Sequence, residues 1–345
     1  MKWRMLAGLL VLGFFSGGFA QSPPALRADV EFFIANMVER HGMDGNSLRE
    51  LFATLKSTAP IVKAVSAPAT AKPWHEFRPL FVDKGRIEGG VKFWSENQTA
   101  LTRASEAFRV PEAIIVSIIG IETRYGKQVG THRVLDALYT LGFELPGRNE
   151  FFKSEMEAFL LLAREQSWDP RAIKGSYAGA MGFPQFMPSS YRNYAIDFSE
   201  NGKVDLWTEI SDVIGSVANY MNQFGWRDGE PVVIPARYEG SDAQAILALG
   251  LKPHSSIYQL KQLGVVPTGE VDESLQAALF TLDMPEGQDY WLGLNNFNTI
   301  LQYNRSRNYA MSVHQLSLEI ARERQRLALA GQELSGKPGG RRAVR

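Results

Sequence analysis

The sequence predicts a mainly α-helical chain, α+β in class, that carries one small β-containing module. Three observations predict it. Apolar residues recur at helical spacing from about 26 to 56 and again from about 89 to 224. After Gly225 the composition changes. Residues 231–291 hold short apolar pieces such as Val232-Val233-Ile234 between Pro235, Gly240, Pro253, Gly264, Pro267, Gly269, Pro285 and Gly287, the punctuation of strands and turns. Helical spacing then returns in Thr299–Gln302 and Met311–Ala330.

Taken in order, residues 1–20 read as a secretory signal peptide. Lys2 and Arg4 precede an apolar run, Met5–Phe15, and Gly17-Gly18-Phe19-Ala20 offers small residues before a cut. A membrane anchor is the alternative, but the run is shorter than the ~20 residues of a spanning helix. Without cysteine no lipid can be attached there. Val30, Phe33, Ile34, Met37 and Val38, then Leu48, Leu51, Phe52 and Leu55, predict two helices broken at Gly42 and Gly45. Pro60, Pro68 and Pro73 among Ala, Ser and Thr predict an extended connection over 57–73. Helices resume with Val91, Trp94, Leu101 and Ala104. From Gly331 on, a tail rich in Gly and Arg is expected to be disordered.

Composition bounds the function. The chain has 345 residues, enough for two or three domains, and equal numbers of basic and acidic residues, 37 of each. Such neutrality argues against nucleic-acid binding, which needs a concentrated basic face. Loss of Lys2 and Arg4 with the leader would leave 35 basic residues against 37 acidic ones. Zero cysteines exclude disulfides, thiolate metal sites and cysteine nucleophiles. The five histidines form no metal-ligand spacing, and no phosphate-binding Gly-x-x-x-x-Gly-Lys motif occurs. Trp74 and Trp94 are candidates to stack on a sugar ring, although a helical tryptophan such as Trp94 more often packs in a core, as Trp207, Trp226 and Trp291 are expected to do.

Two segments carry chemistry. In residues 111–126, Pro111 opens a helix on which Ile115, Ile119 and Glu122 share one face. A carboxyl among apolar neighbours tends to keep its proton, the state a general acid requires. The same spacing also suits a glutamate paired with Arg124 or Arg148. The second segment, Gly175–Tyr191, is dense in glycine, aromatic residues and amides. It reads as a cleft wall that binds sugar hydroxyls and ring faces, or as a tight turn between helices.

Ile118-Ile-Gly-Ile-Glu-Thr-Arg-Tyr-Gly126, the Gly175–Tyr191 segment, Asp205-Leu-Trp207 and Gly215-Ser-Val-Ala-Asn-Tyr220 together resemble the lytic murein transglycosylase B family, over residues 29–325. The resemblance implies an N-terminal helical region and linker at 21–73 and a lysozyme-like catalytic core at 74–230. It further implies a small β-containing module at 231–291 and a C-terminal part of the core at 292–330. It makes peptidoglycan the substrate and Glu122 the sole catalytic acid/base. Ser176 and Gln185 then line the glycan site, Tyr220 and the pair Tyr303-Asn304 face the same cleft, and Arg148 lies in the peptide-side groove. A neighbouring family arginine corresponds to Gly147 here, and Phe77 stands where the family has a cleft tyrosine.

Glycoside hydrolysis ordinarily takes two carboxylates. Residues 118–126 hold only Glu122, and 175–191 hold none. The family's route is substrate assistance: the N-acetyl group stabilises the sugar cation and the C6 hydroxyl closes on C1 as a 1,6-anhydro ring. A hydrolytic muramidase and a non-catalytic peptidoglycan-binding scaffold are the alternatives. No cofactor is expected for catalysis. A monomer in the periplasm is expected, with other cell-wall enzymes as candidate partners.

Residues 197–212 begin like an EF-hand loop: Asp197, Ser199 and Asn201 at positions 1, 3 and 5 and Gly202 at position 6. Thr208 replaces the usual position-12 glutamate, so the loop would close on Asp212. Family members bind calcium in such an extended loop. An Asx-type turn held by its own side chains is the alternative.

Overall fold

The computed structural model describes residues 25–66 and 72–335. Of the tail expected to be disordered from Gly331, residues 331–335 instead continue the last helix, and the rest, like the leader at 1–20, lies outside the described residues. The described residues divide after Leu55 into two compact units. The first holds α1 (Ala28–His41) and α2 (Gly45–Ala53). Gly42 takes the left-handed conformation at φ 61° that ends α1, and the Asp44 carboxylate caps α2 by accepting from Ser47 N–H. The rings of Phe33 and Phe52 pack between them, tilted, with centroids 5.7 Å apart. Val38, expected in this core, is exposed.

The second unit begins with α3 (Ala59–Ser66), α4 (Trp74–Phe81), α5 (Lys84–Glu96), α6 (Gln98–Phe108) and α7 (Glu112–Thr123). The extended connection expected over 57–73 is therefore corrected in its first half. Pro60 sits in the first turn of α3, where a missing N–H costs nothing, and Ile61 is buried. Next come β1 (His132–Arg133), α8 (Val134–Glu144), α9 (Asn149–Glu165), β2 (Lys174–Gly175), α10 (Pro188–Tyr194) and α11 (Ile210–Gln223). Residues 114–121 of α7 are all buried, so this helix is apolar on every side. It runs through the core with α5, α6, α11 and α15 around it.

The β module follows as β3 (Val233–Tyr238), α12 (Ala243–Leu247), β4 (Ser255–Ser256), α13 (Ile257–Gln262), β5 (Val265–Pro267), β6 (Gln276–Asp283) and β7 (Gln288–Gly293). Its five strands pair antiparallel in the order β4-β6-β7-β3-β5, with Leu279 opposite Leu292 and Ile234 opposite Leu292 in register. The sheet has its own core of Ile234, Ile246, Ile257, Leu260, Leu279 and Leu292. The chain leaves the helical core at Val232 and returns at Leu294, whose N–H donates to the Val232 carbonyl at 3.1 Å. Asn296, fully buried, fixes the return by donating to the carbonyls of Arg227 and Glu230. Helices α14 (Asn295–Tyr303) and α15 (Arg307–Ser335) complete the core.

Candidate active site

Glu122 stands in the last turn of α7. Ile115 and Ile119 on its face are fully buried. Burial pushes the Glu122 carboxyl up from its ordinary 4.5 to about 7, against a hydrogen bond from Tyr309 that favours the ionised form. The Tyr309 hydroxyl donates to Glu122 Oε1 at 2.5 Å. Burial, reinforced by the Glu122 charge, raises the Tyr309 phenol well above its usual range, so Tyr309 remains a donor. Neither cation offered as a partner by the sequence takes Glu122. Arg124 pairs with Asp83 at 3.6 Å, and Arg148 lies over the rings of Phe151 and Phe152. Among the described residues no ion pair reaches Glu122.

The chain reverses after α7 through Arg124 and Tyr125, both left-handed at φ 50° and 60°. Gly126 follows at φ 84°, and a Cβ there would lie 1.9 Å from the Phe183 ring. Thr123 Oγ1 donates to Phe183 O at 3.1 Å, which ties the glutamate motif to the glycine-rich segment. Bridges Gly175–Met181 and Met181–Phe186 fold that segment on itself, and Gly175 pairs with His132 of β1. Its two expected sugar ligands are largely engaged within the protein. Ser176 Oγ accepts the N–H groups of Ala178 and Ala180, and Gln185 Nε2 donates to the carbonyls of Val129 and Gly182. The Ser176 O–H and the Gln185 carbonyl oxygen retain bonding capacity.

Arg148, Tyr220, Tyr303 and Asn304 come together on the wall of one cavity of about 920 Å³, with Phe77, Phe81, Tyr177 and Arg305. That volume is at the upper end for small-molecule clefts. Tyr220 and Tyr303 pack at 4.7 Å, and Tyr303 stacks on Tyr309 at 6.3 Å, so the cavity's aromatic wall leads to Glu122. Both hydroxyls are spent on backbone carbonyls, Tyr220 on Gln302 and Tyr303 on Pro184. These rings therefore offer faces, not hydroxyls, to a ligand. Glu155 is the carboxylate on this wall. It is buried, and both its oxygens accept from Ser189, at 2.9 and 2.7 Å. Thus it anchors the start of α10 to α9. Tyr309 was not among the residues read from the sequence; it lies 187 positions from its partner, and no local pattern joins them.

The loop at 197–212 brings its four residues together. Asp197 accepts from Ser199 Oγ and from the N–H groups of Asn201 and Gly202. Asp212, fully buried, accepts from the N–H groups of Ser199 and Asp205 at 2.8 and 2.9 Å. Both carboxylates thus meet on Ser199. The donors are hard oxygens, as calcium requires, and each carboxylate oxygen keeps a lone pair. A calcium ion held by this set would rest on two carboxylates, because among the described residues no three acidic or imidazole side chains cluster.

Fold and site define a lysozyme-like enzyme with a half-buried carboxyl, unpaired with any cation, at the end of a core helix. Residues 25–318 match the model of the transglycosylase SLT domain family, and the chain belongs to that family. It is 42% identical over 315 residues to the membrane-bound lytic murein transglycosylase B of Escherichia coli, covering 88% of this chain and 84% of that protein. Among solved structures, the soluble lytic transglycosylase SltB1 of Pseudomonas aeruginosa is 44% identical with a TM-score of 0.80, covering 86% of this chain and 99% of that one. The E. coli lytic transglycosylase Slt35 in complex with calcium is 42% identical with a TM-score of 0.77, covering 86% and 94%.

Proposed function

We propose that this protein is a peptidoglycan lytic transglycosylase that breaks the β-1,4 bond between N-acetylmuramic acid and N-acetylglucosamine and leaves a 1,6-anhydro end, with Glu122 as the sole acid and base. The observation that carries the reading is a carboxyl raised by burial to about 7 and held by one phenol donor, Tyr309, whose ring stacks on Tyr303 of the cavity wall. Protonated Glu122 gives its proton to the glycosidic oxygen as the C1–O bond breaks. The muramic acid's N-acetyl oxygen bonds to C1 and carries the charge. Glu122, now a carboxylate held by Tyr309, removes the proton of the C6 hydroxyl. O6 then displaces the N-acetyl oxygen at C1, and Glu122 is returned to its starting state. An internal nucleophile already oriented by the ring needs no second carboxylate. Glu155, whose oxygens are occupied by Ser189, supports this single-acid reading over hydrolysis.

Tyr220 and Tyr303 supply ring faces to the sugars, Ser176, Gln185 and Asn304 polar contacts, and Arg148 an anion contact for the stem peptide. The leader pattern supports export to the periplasm, where the protein would act as a monomer; among the described residues no helix is long and apolar enough to cross a membrane. Asp197, Ser199, Asn201 and Asp212 would hold a structural calcium ion, which braces the turn into α11 and takes no part in the chemistry. Mass spectrometry of digested sacculi tests the main claim. Products lighter by one water than reducing ends are expected from the wild type and none from Glu122→Gln. Reducing ends would make the protein a muramidase, and turnover by the variant would falsify the role of Glu122.

A further inference from the structure

Two residues before Glu122, the carbonyl of Gly120 is among the last of α7. It accepts from the backbone N–H of Arg124 at 3.1 Å and, in addition, from Nε of Arg86 at 3.1 Å. Arg86 belongs to α5 and is only 6% exposed. The same guanidinium donates through Nη1 to the carbonyl of Leu80 at 2.6 Å, at the end of α4, and to Asp83 Oδ2 at 2.7 Å. Phe81, next to Leu80, lines the cleft, and the guanidinium sits 5.1 Å from its ring. One planar cation is therefore bonded at once to the helix that carries the acid and to the helix end that forms a wall of the cavity.

The contact is closed from the other side. The Tyr125 hydroxyl donates to the Arg86 carbonyl at 2.7 Å. Its ring lies in a notch made by glycines: a Cβ at Gly120 would be 2.4 Å from the Tyr125 hydroxyl, and one at Gly90 would be 2.6 Å from it. Asp83 holds Arg86 and Arg124 together. Burying a guanidinium is costly, and apolar residues of similar volume often stabilise a core as well or better. What an apolar side chain cannot do is fix two carbonyls of different helices in one plane.

We propose that Arg86 is a positioning residue for the transglycosylase reaction, setting through Gly120 and Leu80 the distance between the Glu122 carboxyl and the cleft wall. The inference rests on the reading of Glu122 as the acid. Arg86 touches no substrate. It acts on where the proton is delivered, and a displacement of about 1 Å at such a site can cost on the order of 10²-fold in rate.

The test compares wild type, Arg86→Met, Arg86→Lys, Tyr125→Phe and Glu122→Gln on a soluble uncrosslinked glycan oligomer of GlcNAc and MurNAc, with folding followed by circular dichroism. For folded Arg86→Met, kcat is expected to fall about 10- to 100-fold with KM within about twofold. The pH at which kcat declines should move, because a displaced Glu122 changes its exposure and its contact with Tyr309. Arg86→Lys should recover part of the loss, since an ammonium reaches one carbonyl but not both. Tyr125→Phe, which removes one hydrogen bond and keeps the ring, should lose about threefold. Folded Arg86→Met with wild-type kcat and pH profile overturns the proposal. If that variant does not fold, wild-type kcat and pH profile in both Arg86→Lys and Tyr125→Phe overturn it. Turnover by Glu122→Gln in the same assay would instead remove the acid assignment beneath it.

Discussion

Replacing Glu122 by Gln should stabilise the protein at alkaline pH while it abolishes cleavage. In the folded chain the carboxyl titrates near 7 and in the unfolded chain near 4.5. Between those values the folded state keeps a proton that the unfolded state has released, so stability falls as pH rises through the window. Below pH 4.5 the side chain is neutral in both states and costs nothing. Above pH 7 the full cost is present. The rise from 4.5 to about 7 corresponds to a ceiling of about 3 kcal/mol. The side chain retains partial solvent access, which screens the charge and brings the expected cost down to about 1–2 kcal/mol. Glutamine has the same shape, still accepts from Tyr309 and carries no charge. For a chain of this size 1 kcal/mol moves the melting temperature by about 2 °C. Calorimetric melts should therefore show wild type and Glu122→Gln coinciding at pH 4.5 and the variant ahead by about 2–4 °C at pH 9. A difference that does not change with pH, or a variant less stable at pH 9, would refute the claim that burial without a cation sets this carboxyl.

Tyr309→Phe removes the one donor that favours ionised Glu122, so the carboxyl should titrate above 7 and the alkaline limb of kcat should move to higher pH, with kcat down about tenfold; a pH–rate profile measures both. Glu155→Gln should cost about 1–3 kcal/mol in denaturant melts, because Ser189 loses charge-assisted bonds, yet leave the anhydro product unchanged by mass spectrometry. Ten millimolar calcium should raise the melting temperature by a few degrees over chelator if binding is near millimolar, through about 1.4 kcal/mol of linkage. Asp212→Asn should abolish that response, and an unchanged melting temperature in the wild type would count against the loop as a calcium site.

The sequence revealed Glu122 because the physics there is local. A charged residue in a run of isoleucines stands out at helical spacing, and burial of Ile115 and Ile119 follows from the same period. What was not legible joins residues far apart in the chain. Arg124 looked like a partner for Glu122 because it is two residues away; its real partner, Asp83, is met only when α5 folds against α7. Tyr309 lies in a helix whose spacing says only that one face is buried. Ser176 and Gln185 were read as ligands by residue type, while most of their bonding is taken by the turn they stabilise. The helix at 59–66 is hidden in the sequence by prolines that ordinarily break helices, although Pro60 falls in the first turn, where proline is tolerated.

The route into and out of the β module has a consequence for how this architecture can vary. Val232 and Leu294 are hydrogen-bonded neighbours, so everything between them is a detour from the helical core. A shorter, longer or unrelated segment spliced at that pair would leave the threading of α7, α11 and α15 untouched. The anchoring of Asn296 to Arg227 and Glu230 marks the seam at which such an exchange would have to be made.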